Sequence, residues 1–319
     1  MRKRVPELSL RDFTGDGPAR AGFSEALMRG LQDYGFIVLK DHGVPTELLG
    51  RAYGLAEAVF ALPEDLKRRY AAGQRGYTSF GTEHARDSRH PDLKEFWQIG
   101  REPPPPGAGT DEDLPSNVWP AELPDFRGTF LTLFDSLDAT GRTLLRALAP
   151  KLGLPESYFD PLVRHGTSIL RVLHYPPVAD DVAPSARSPA AHEDINFMTI
   201  MVAAKGAGLE LLDRDGCWLP VETDPTNLIV DSGDMLQRLT NGLIPATTHR
   251  VVNPAGPNVS RYSMPFFMHP SSSVLLDVLP SCVGDGANYP PIIAGAFLAE
   301  RLREIGLTSK PDEGVVGPT

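Results

Sequence analysis

Two regimes of hydrophobic spacing divide the chain. In the first half, apolar residues recur every three or four positions. Phe23, Ala26, Leu27, Leu31 and Tyr34 mark one helix face, and Phe126, Phe130, Phe134, Leu137, Leu144, Leu145 and Leu148 mark another over residues 126–148. A short apolar run at 36–39 reads as a buried strand, and a third helix is expected from an N-cap at Thr46 through Phe60, with Glu47 in its first turn. From Ser168 onward the pattern changes to brief β-type runs: 169–175, 197–203, 209–212, 218–221, 227–231, 249–252, 262–268 and 274–278. Turn residues such as Asp213-Arg-Asp-Gly216 separate them, and an amphipathic helix at 296–305 closes the pattern before a frayed tail after Leu307. Between the regimes, residues 73–124 read as irregular, broken by four prolines at 103–106 and by Gly107. A stretch that long without periodicity suggests a lid over a site, placed at residues 73–106.

This pattern predicts a mainly β fold with flanking helices: a mostly helical region at 1–150 packed on a double-stranded β-helix or jelly-roll at 151–319, the two forming one structural unit. With 41% apolar residues, the 319-residue chain can bury a large core. Its formal charge of −10, from 31 basic and 41 acidic side chains, argues against a nucleic-acid or anionic-membrane partner. Two cysteines, Cys217 and Cys282, are too few for a disulfide framework. The basic start MRKRVPELSL lacks the apolar core of a signal peptide, and no run approaches the roughly 20 apolar residues of a membrane span. The expectation is a cytoplasmic protein, monomeric or weakly self-associating.

The candidate chemistry centres on His192, Asp194 and His249. On extended backbone, residues two apart share a face, so His192 and Asp194 can converge on one ion. His249 opens a separate β-type run and can supply a third ligand. Two imidazoles and one carboxylate leave three open positions on an octahedral ion, the ligand set of non-haem iron(II) oxygenases. An isolated His-x-Asp triplet occurs often by chance, so the context decides. Arg261 and Ser263 share a face of the next expected strand, a guanidinium and a hydroxyl suited to a carboxylate, and Tyr175 can add a phenol. His42, His84, His90, His165 and His174 have no comparable setting, and Glu193 faces away from the pair that flanks it.

The motifs around these residues run in order along the chain: Leu170–Pro177, His192-Glu-Asp194, Gly208-Leu-Glu-Leu-Leu-Asp213, Gly216-Cys-Trp-Leu-Pro220, Gly233-Asp-Met-Leu236, Thr240-Asn-Gly242, His249-Arg-Val-Val-Asn-Pro254 and Arg261-Tyr-Ser-Met-Pro-Phe266. In the first half, Gly35-Phe-Ile-Val-Leu39, His42-Gly-Val-Pro45, Phe60, Lys67 and Asp92-Leu-Lys-Glu95 join them. Over nearly its whole length the chain resembles the isopenicillin N synthase-like branch of the iron(II)/2-oxoglutarate-dependent dioxygenases. The resemblance implies a distorted double-stranded β-helix, iron(II) on His192, Asp194 and His249, and the distal carboxylate of 2-oxoglutarate on Arg261 and Ser263 with Tyr175 nearby. It implies O2 as second cosubstrate, release of succinate and CO2, and oxidation of a small organic substrate by hydroxylation, desaturation or cyclisation. Two departures stand out. Leu173-His174-Tyr175-Pro176 replaces the Asn-Tyr-Tyr-Pro of many members, so Tyr175 alone carries over, and the connection from His249 to Arg261 is longer, with a wider turn expected at 254–258.

Two other readings stay open at this level. An iron oxidase of the isopenicillin N synthase type would keep the triad and Arg-x-Ser without using 2-oxoglutarate. A non-catalytic β-barrel binding protein would keep the fold alone. For the substrate pocket the candidates are Tyr77, Phe80, Asn196, Phe267 and His269, aromatic walls with few polar groups, as small-molecule pockets require.

Overall fold

The computed structural model describes residues 3–82, 93–102, 114–177, 191–202, 208–252 and 259–304. The turn expected at 254–258, the tail after 307, the prolines at 103–106, and His84, His90 and Asp92 lie outside these residues.

The chain runs β1 (Glu7–Ser9), α1 (Leu10–Thr14), α2 (Pro18–Tyr34), β2 (Phe36–Lys40), α3 (Thr46–Phe60), α4 (Glu64–Arg68), β3 (Ala71–Ala72), β4 (Arg75–Thr78), β5 (Glu95–Gly100), α5 (Asp125–Leu148) and α6 (Asp160–Val163). It continues through β6 (Ile169–Tyr175), β7 (Met198–Val202), β8 (Leu209–Leu212), β9 (Trp218–Pro220), β10 (Leu228–Ser232), α7 (Asp234–Leu239), β11 (His249–Val251), β12 (Arg261–Met268), β13 (Leu275–Leu276), β14 (Ile292–Ile293) and α8 (Ala294–Glu304). Among the described residues, nine strands form a major sheet in the order β1-β2-β10-β7-β12-β6-β5-β4-β3, and β11-β8-β9 form a minor sheet facing it. The pairing is antiparallel throughout except for β1 on β2.

Strand parity gives the two faces of the major sheet different tasks. Leu170, Val172, Trp97, Ile99, Ile200 and Phe266 pack on the apolar stripes of α2, α3 and α5 in one large core. On the opposite face, Phe36, Val38 and Ile229 meet Leu211, Leu219 and Val221 of the minor sheet in a second, smaller core. This double-stranded β-helix is the fold expected from the sequence.

Two expectations change, and one gains detail. Within the mostly helical region at 1–150, β1–β5 all join the major sheet. The proposed lid at 73–106 contains β4 and β5, and β5 is buried along its whole length; the proline and glycine breakers sit after these strands and do not interrupt them. Thr46 is the first residue of α3 rather than its cap: Pro45 holds the N-cap position in extended backbone, with no side-chain hydrogen bond.

Candidate metal centre and its surroundings

His192 and His249 pair across an isolated antiparallel bridge. Each donates its backbone N–H to the other's carbonyl, at 3.0 and 2.9 Å. The two imidazoles lie with ring centroids 4.5 Å apart. Asp194 joins them, its Oδ1 3.8 Å from His192 Nε2, and one ligand atom from each of the three lies within 4.8 Å of the others. His192 stands exposed while Asp194 and His249 are buried.

Local structure aims each group. His249 donates from Nδ1 to the carbonyl of Thr247 at 3.1 Å, which leaves Nε2 as the nitrogen with a lone pair to offer. The edge of the Phe36 ring, brought in by β2, packs against the same imidazole. Burial, reinforced by His192, lowers the His249 pKa to about 4, so the ring is neutral and its lone pair is available. Thr199 on β7 donates its hydroxyl to Asp194 Oδ2 and accepts from Asn196 Nδ2 at 2.9 Å. Burial opposes ionisation of Asp194, but His249, His192, Thr199 and Arg171 together hold its pKa below the ordinary range.

The main chain carrying Asp194 is gripped by the start of α7. The Asp234 N–H reaches the Asp194 carbonyl at 2.7 Å, and the Met235 N–H reaches the carbonyls of Ile195 and Asn196. Gly233 makes this approach possible, since a Cβ there would stand 2.4 Å from the Asn196 carbonyl oxygen and 2.8 Å from that of Asp194. The Gly233-Asp-Met-Leu236 motif thus buttresses the segment that carries Asp194. Behind it, burial and the neighbouring Asp194 push the Asp231 pKa well above the ordinary carboxylate value.

Arg261 lies opposite Tyr175, and Ser263 opposite Leu173, on paired strands β12 and β6. Residues 261, 263 and 267 share one face of β12, and Phe267 lies opposite Thr199. The guanidinium, the hydroxyl and Thr199, which bonds to Asp194, therefore lie on one face of the sheet. Arg261 is partly buried, 5.7 Å from the Tyr175 ring centre, and donates to the Val252 carbonyl at 3.4 Å. Burial lowers its pKa from its usual value, with Tyr175 opposing. Among the described residues it forms no ion pair. A neutral imidazole, a carboxylate held ionised and a partly buried guanidinium on the same sheet face fit an iron(II) ion with a chelating dicarboxylate.

Comparison with known proteins agrees with this geometry. Residues 5–122 match the family model "non-haem dioxygenase in morphine synthesis N-terminal", and residues 166–270 match that of the 2OG-Fe(II) oxygenase superfamily. The 2-oxoglutarate-Fe(II) type oxidoreductase hxnY of Emericella nidulans is 31% identical over 307 residues, covering 90% of this chain and 86% of the relative. The chain belongs to the iron(II)/2-oxoglutarate-dependent oxygenases. A 2OG-Fe(II) oxygenase family protein from Caulobacter crescentus has 42% identity and a TM-score of 0.85, covering 96% of this chain and 100% of that one. A full-length Neurospora crassa protein, crystallised in complex with α-ketoglutarate and thymine, has 28% identity and a TM-score of 0.83, covering 94% and 96%. Iron(II) and 2-oxoglutarate are thus the oxygenase's cofactor and cosubstrate, and neither the oxidase nor the binding-protein alternative is favoured. No helix among the described residues is long and apolar enough to cross a membrane.

The five pocket candidates scatter. Phe267 is half-buried on the open face of β12. His269 follows the strand; burial lowers its pKa to about 4, while Asp194 opposes this. Tyr77 is a correction. It lies opposite Trp97, so it shares the helix-side face, and its hydroxyl donates to Glu64 and Glu95. Asn196 lies beneath the centre as the support of Thr199 rather than as a pocket wall. Phe80 stands 45% exposed after β4. Glu193 accepts from Thr248 at the surface. Two residues on the open face were not anticipated. Arg171 and Gln98 each interrupt an apolar strand run, the signal that could have found them.

Proposed function

We propose that His192, Asp194 and His249 hold the iron, that Arg261 and Ser263 with Tyr175 receive the distal carboxylate of 2-oxoglutarate, and that the oxygenase oxidises a C–H bond of a small molecule no larger than a nucleobase or an amino acid. The observation that carries this is the partly buried Arg261, two residues from Ser263, on the face shared with Thr199 and its hydrogen bond to Asp194. Thymine in the Neurospora complex supports the size of the substrate, and the proline hydroxylase buaE of Petromyces alliaceus, 32% identical and covered over 90% of its length, supports an amino-acid-sized one.

When bound, iron(II) with 2-oxoglutarate and O2 supplies the oxidising power, and succinate and CO2 leave. The protein's own part is orientation. Thr247 fixes the His249 tautomer, Thr199 fixes the Asp194 carboxylate, and Arg261 sets the direction from which 2-oxoglutarate enters. Phe36, Leu211 and Ile229 close the inner end of the space against water.

Arg261→Ala tests this reading. Truncating one member of a buried charge pair costs roughly 2–5 kcal/mol, and each ~1.4 kcal/mol is tenfold in affinity. 2-Oxoglutarate should therefore bind about thirtyfold or more weakly while iron binding persists. An unchanged 2-oxoglutarate affinity would show that Arg261 serves another group and refute the assignment.

A further inference from the structure

Behind Arg261 and Tyr175, on the other face of the major sheet, lies a buried polar row. Glu95 on β5 and Tyr262 on β12 both lie opposite His174 on β6, so the three residues stand side by side across three strands. Tyr262 packs against the helix-side core, which puts its neighbour Arg261, like His174's neighbour Tyr175, on the opposite face. His174 Nδ1 donates to Glu95 Oε1 at 2.7 Å, and Nε2 meets the hydroxyl of Ser260 at 3.1 Å. The imidazole stacks on Tyr262, with ring centres 4.7 Å apart and planes within 9°, and on Phe60 at 5.3 Å. Glu95 Oε2 accepts from Lys67 Nζ at 2.6 Å and from Tyr77, and Lys67 also donates to the Phe60 carbonyl at 3.3 Å. One chain of contacts therefore runs from the end of α3 through Lys67, Glu95 and His174 to Ser260.

Arg261 is the first residue of β12, and strand ends are the least firmly held part of a sheet. Its own side chain adds little restraint, since the bond to the Val252 carbonyl is long at 3.4 Å. The residues on either side of it are the ones that are tied down: Ser260 by its bond to His174, Tyr262 by its stack on the same ring. We infer that His174 is a positioning residue for the cosubstrate: by bridging Glu95 and Ser260 it anchors the start of β12 and so sets the direction of the Arg261 guanidinium. The inference rests on the proposed assignment of Arg261 to the distal carboxylate of 2-oxoglutarate. It also gives a reason for the departure from Asn-Tyr-Tyr-Pro at this point of the chain. An imidazole has two nitrogens and can bond to a partner on each side, whereas a tyrosine has a single polar atom.

The test uses the iron-loaded enzyme under anaerobic conditions, titrated with 2-oxoglutarate and with 2-oxopentanoate, which carries a methyl in place of the distal carboxylate. Ser260→Ala removes only an exposed hydroxyl. His174→Phe keeps a ring beside Tyr262 and Phe60 and loses both hydrogen bonds. Each should weaken 2-oxoglutarate roughly fivefold to thirtyfold, the range of one lost hydrogen bond, and leave 2-oxopentanoate and iron affinity unchanged. Ser260→Thr, which keeps the hydroxyl, should bind 2-oxoglutarate as the wild type does. On an Arg261→Ala background neither change should weaken 2-oxoglutarate further, because the residue they act through is gone. A merely structural role would lower the melting temperature and weaken both acids alike. Wild-type 2-oxoglutarate affinity in either variant overturns the inference, as does equal weakening of the two acids or a further loss on the Arg261→Ala background. Failure of the underlying assignment appears separately, as an unchanged 2-oxoglutarate affinity in Arg261→Ala itself.

Discussion

Thr199→Val replaces a hydroxyl by a methyl of nearly the same size, so its effect isolates hydrogen bonding. In the wild type the hydroxyl donates to Asp194 Oδ2 and accepts from Asn196 Nδ2. The substitution removes a bond to a charged acceptor, worth about 1.5–3 kcal/mol, and strands a buried amide N–H, which costs a further 1–3 kcal/mol or so. Part of the second cost is recovered if the Asn196 amide re-aims, and about 2–4 kcal/mol of lost stability is the working figure. The Asp194 carboxylate keeps its charge but loses the contact that fixes its direction. Changes of this kind around a metal lower affinity by about 10–100-fold. Anaerobic titration with iron(II), followed by the ligand-field absorption of the 2-oxoglutarate complex, reads the affinity; thermal denaturation of the metal-free protein reads the stability. Glu193→Gln, which alters an exposed contact with Thr248 and leaves the Thr199–Asp194 bond in place, is the control and should change neither. Wild-type iron affinity together with wild-type stability in Thr199→Val would refute the argument that Thr199 aims Asp194.

Gly233→Ala places a methyl against the carbonyls of Asn196 and Asp194; it should lower the melting temperature and weaken iron binding together, and an unperturbed melt would show that α7 does not grip the ligand segment. The buried Glu95 is pressed toward protonation by burial, but hydrogen bonds from His174, Lys67 and Tyr77 outweigh this and hold its pKa below 4.5. Its stabilising contribution is therefore complete above pH 4.5 and disappears as pH falls through the lower folded value. Among the described residues, Glu95→Gln leaves the Lys67 ammonium with the more exposed Glu64 as its one anionic partner, beside the Phe60 carbonyl, and should cost about 3 kcal/mol at neutral pH. That deficit should shrink on acidification, and urea midpoints measured across pH will show whether it does. Removing iron with a chelator should lower the melting temperature, with excess iron(II) restoring it in the wild type but not in Asp194→Ala.

The clustering of His192 and Asp194 was legible in the sequence because the two proposed ligands are two residues apart on extended chain, a relation that needs no tertiary information. Arg261 and Ser263 follow the same rule. Tyr77 did not, because which face β4 presents is set by its register with Trp97, and register between distant strands is not written in either strand alone. β5 was hidden for a related reason. Glu-Phe-Trp-Gln-Ile-Gly is buried on both faces and alternates weakly, and the prolines that follow drew the whole stretch into an apparent loop. With β5 unseen, Gln98 had no strand to belong to, and its place opposite Arg171 could not be read. The short α7 was invisible for want of length, although its Gly233-Asp234 start marked the place.

The paired backbone bonds between His192 and His249 also set the order in which the protein can assemble. They close a loop that holds β7 to β10 and α7, and such a closure gains its reward only after that intervening chain has collapsed. The two imidazoles therefore meet late, on a sheet whose core is already packed, and the ion is a guest of the finished barrel rather than a nucleus for it. Chain made in iron-starved cells should reach the same fold, and charging it with metal is then a step that follows purification.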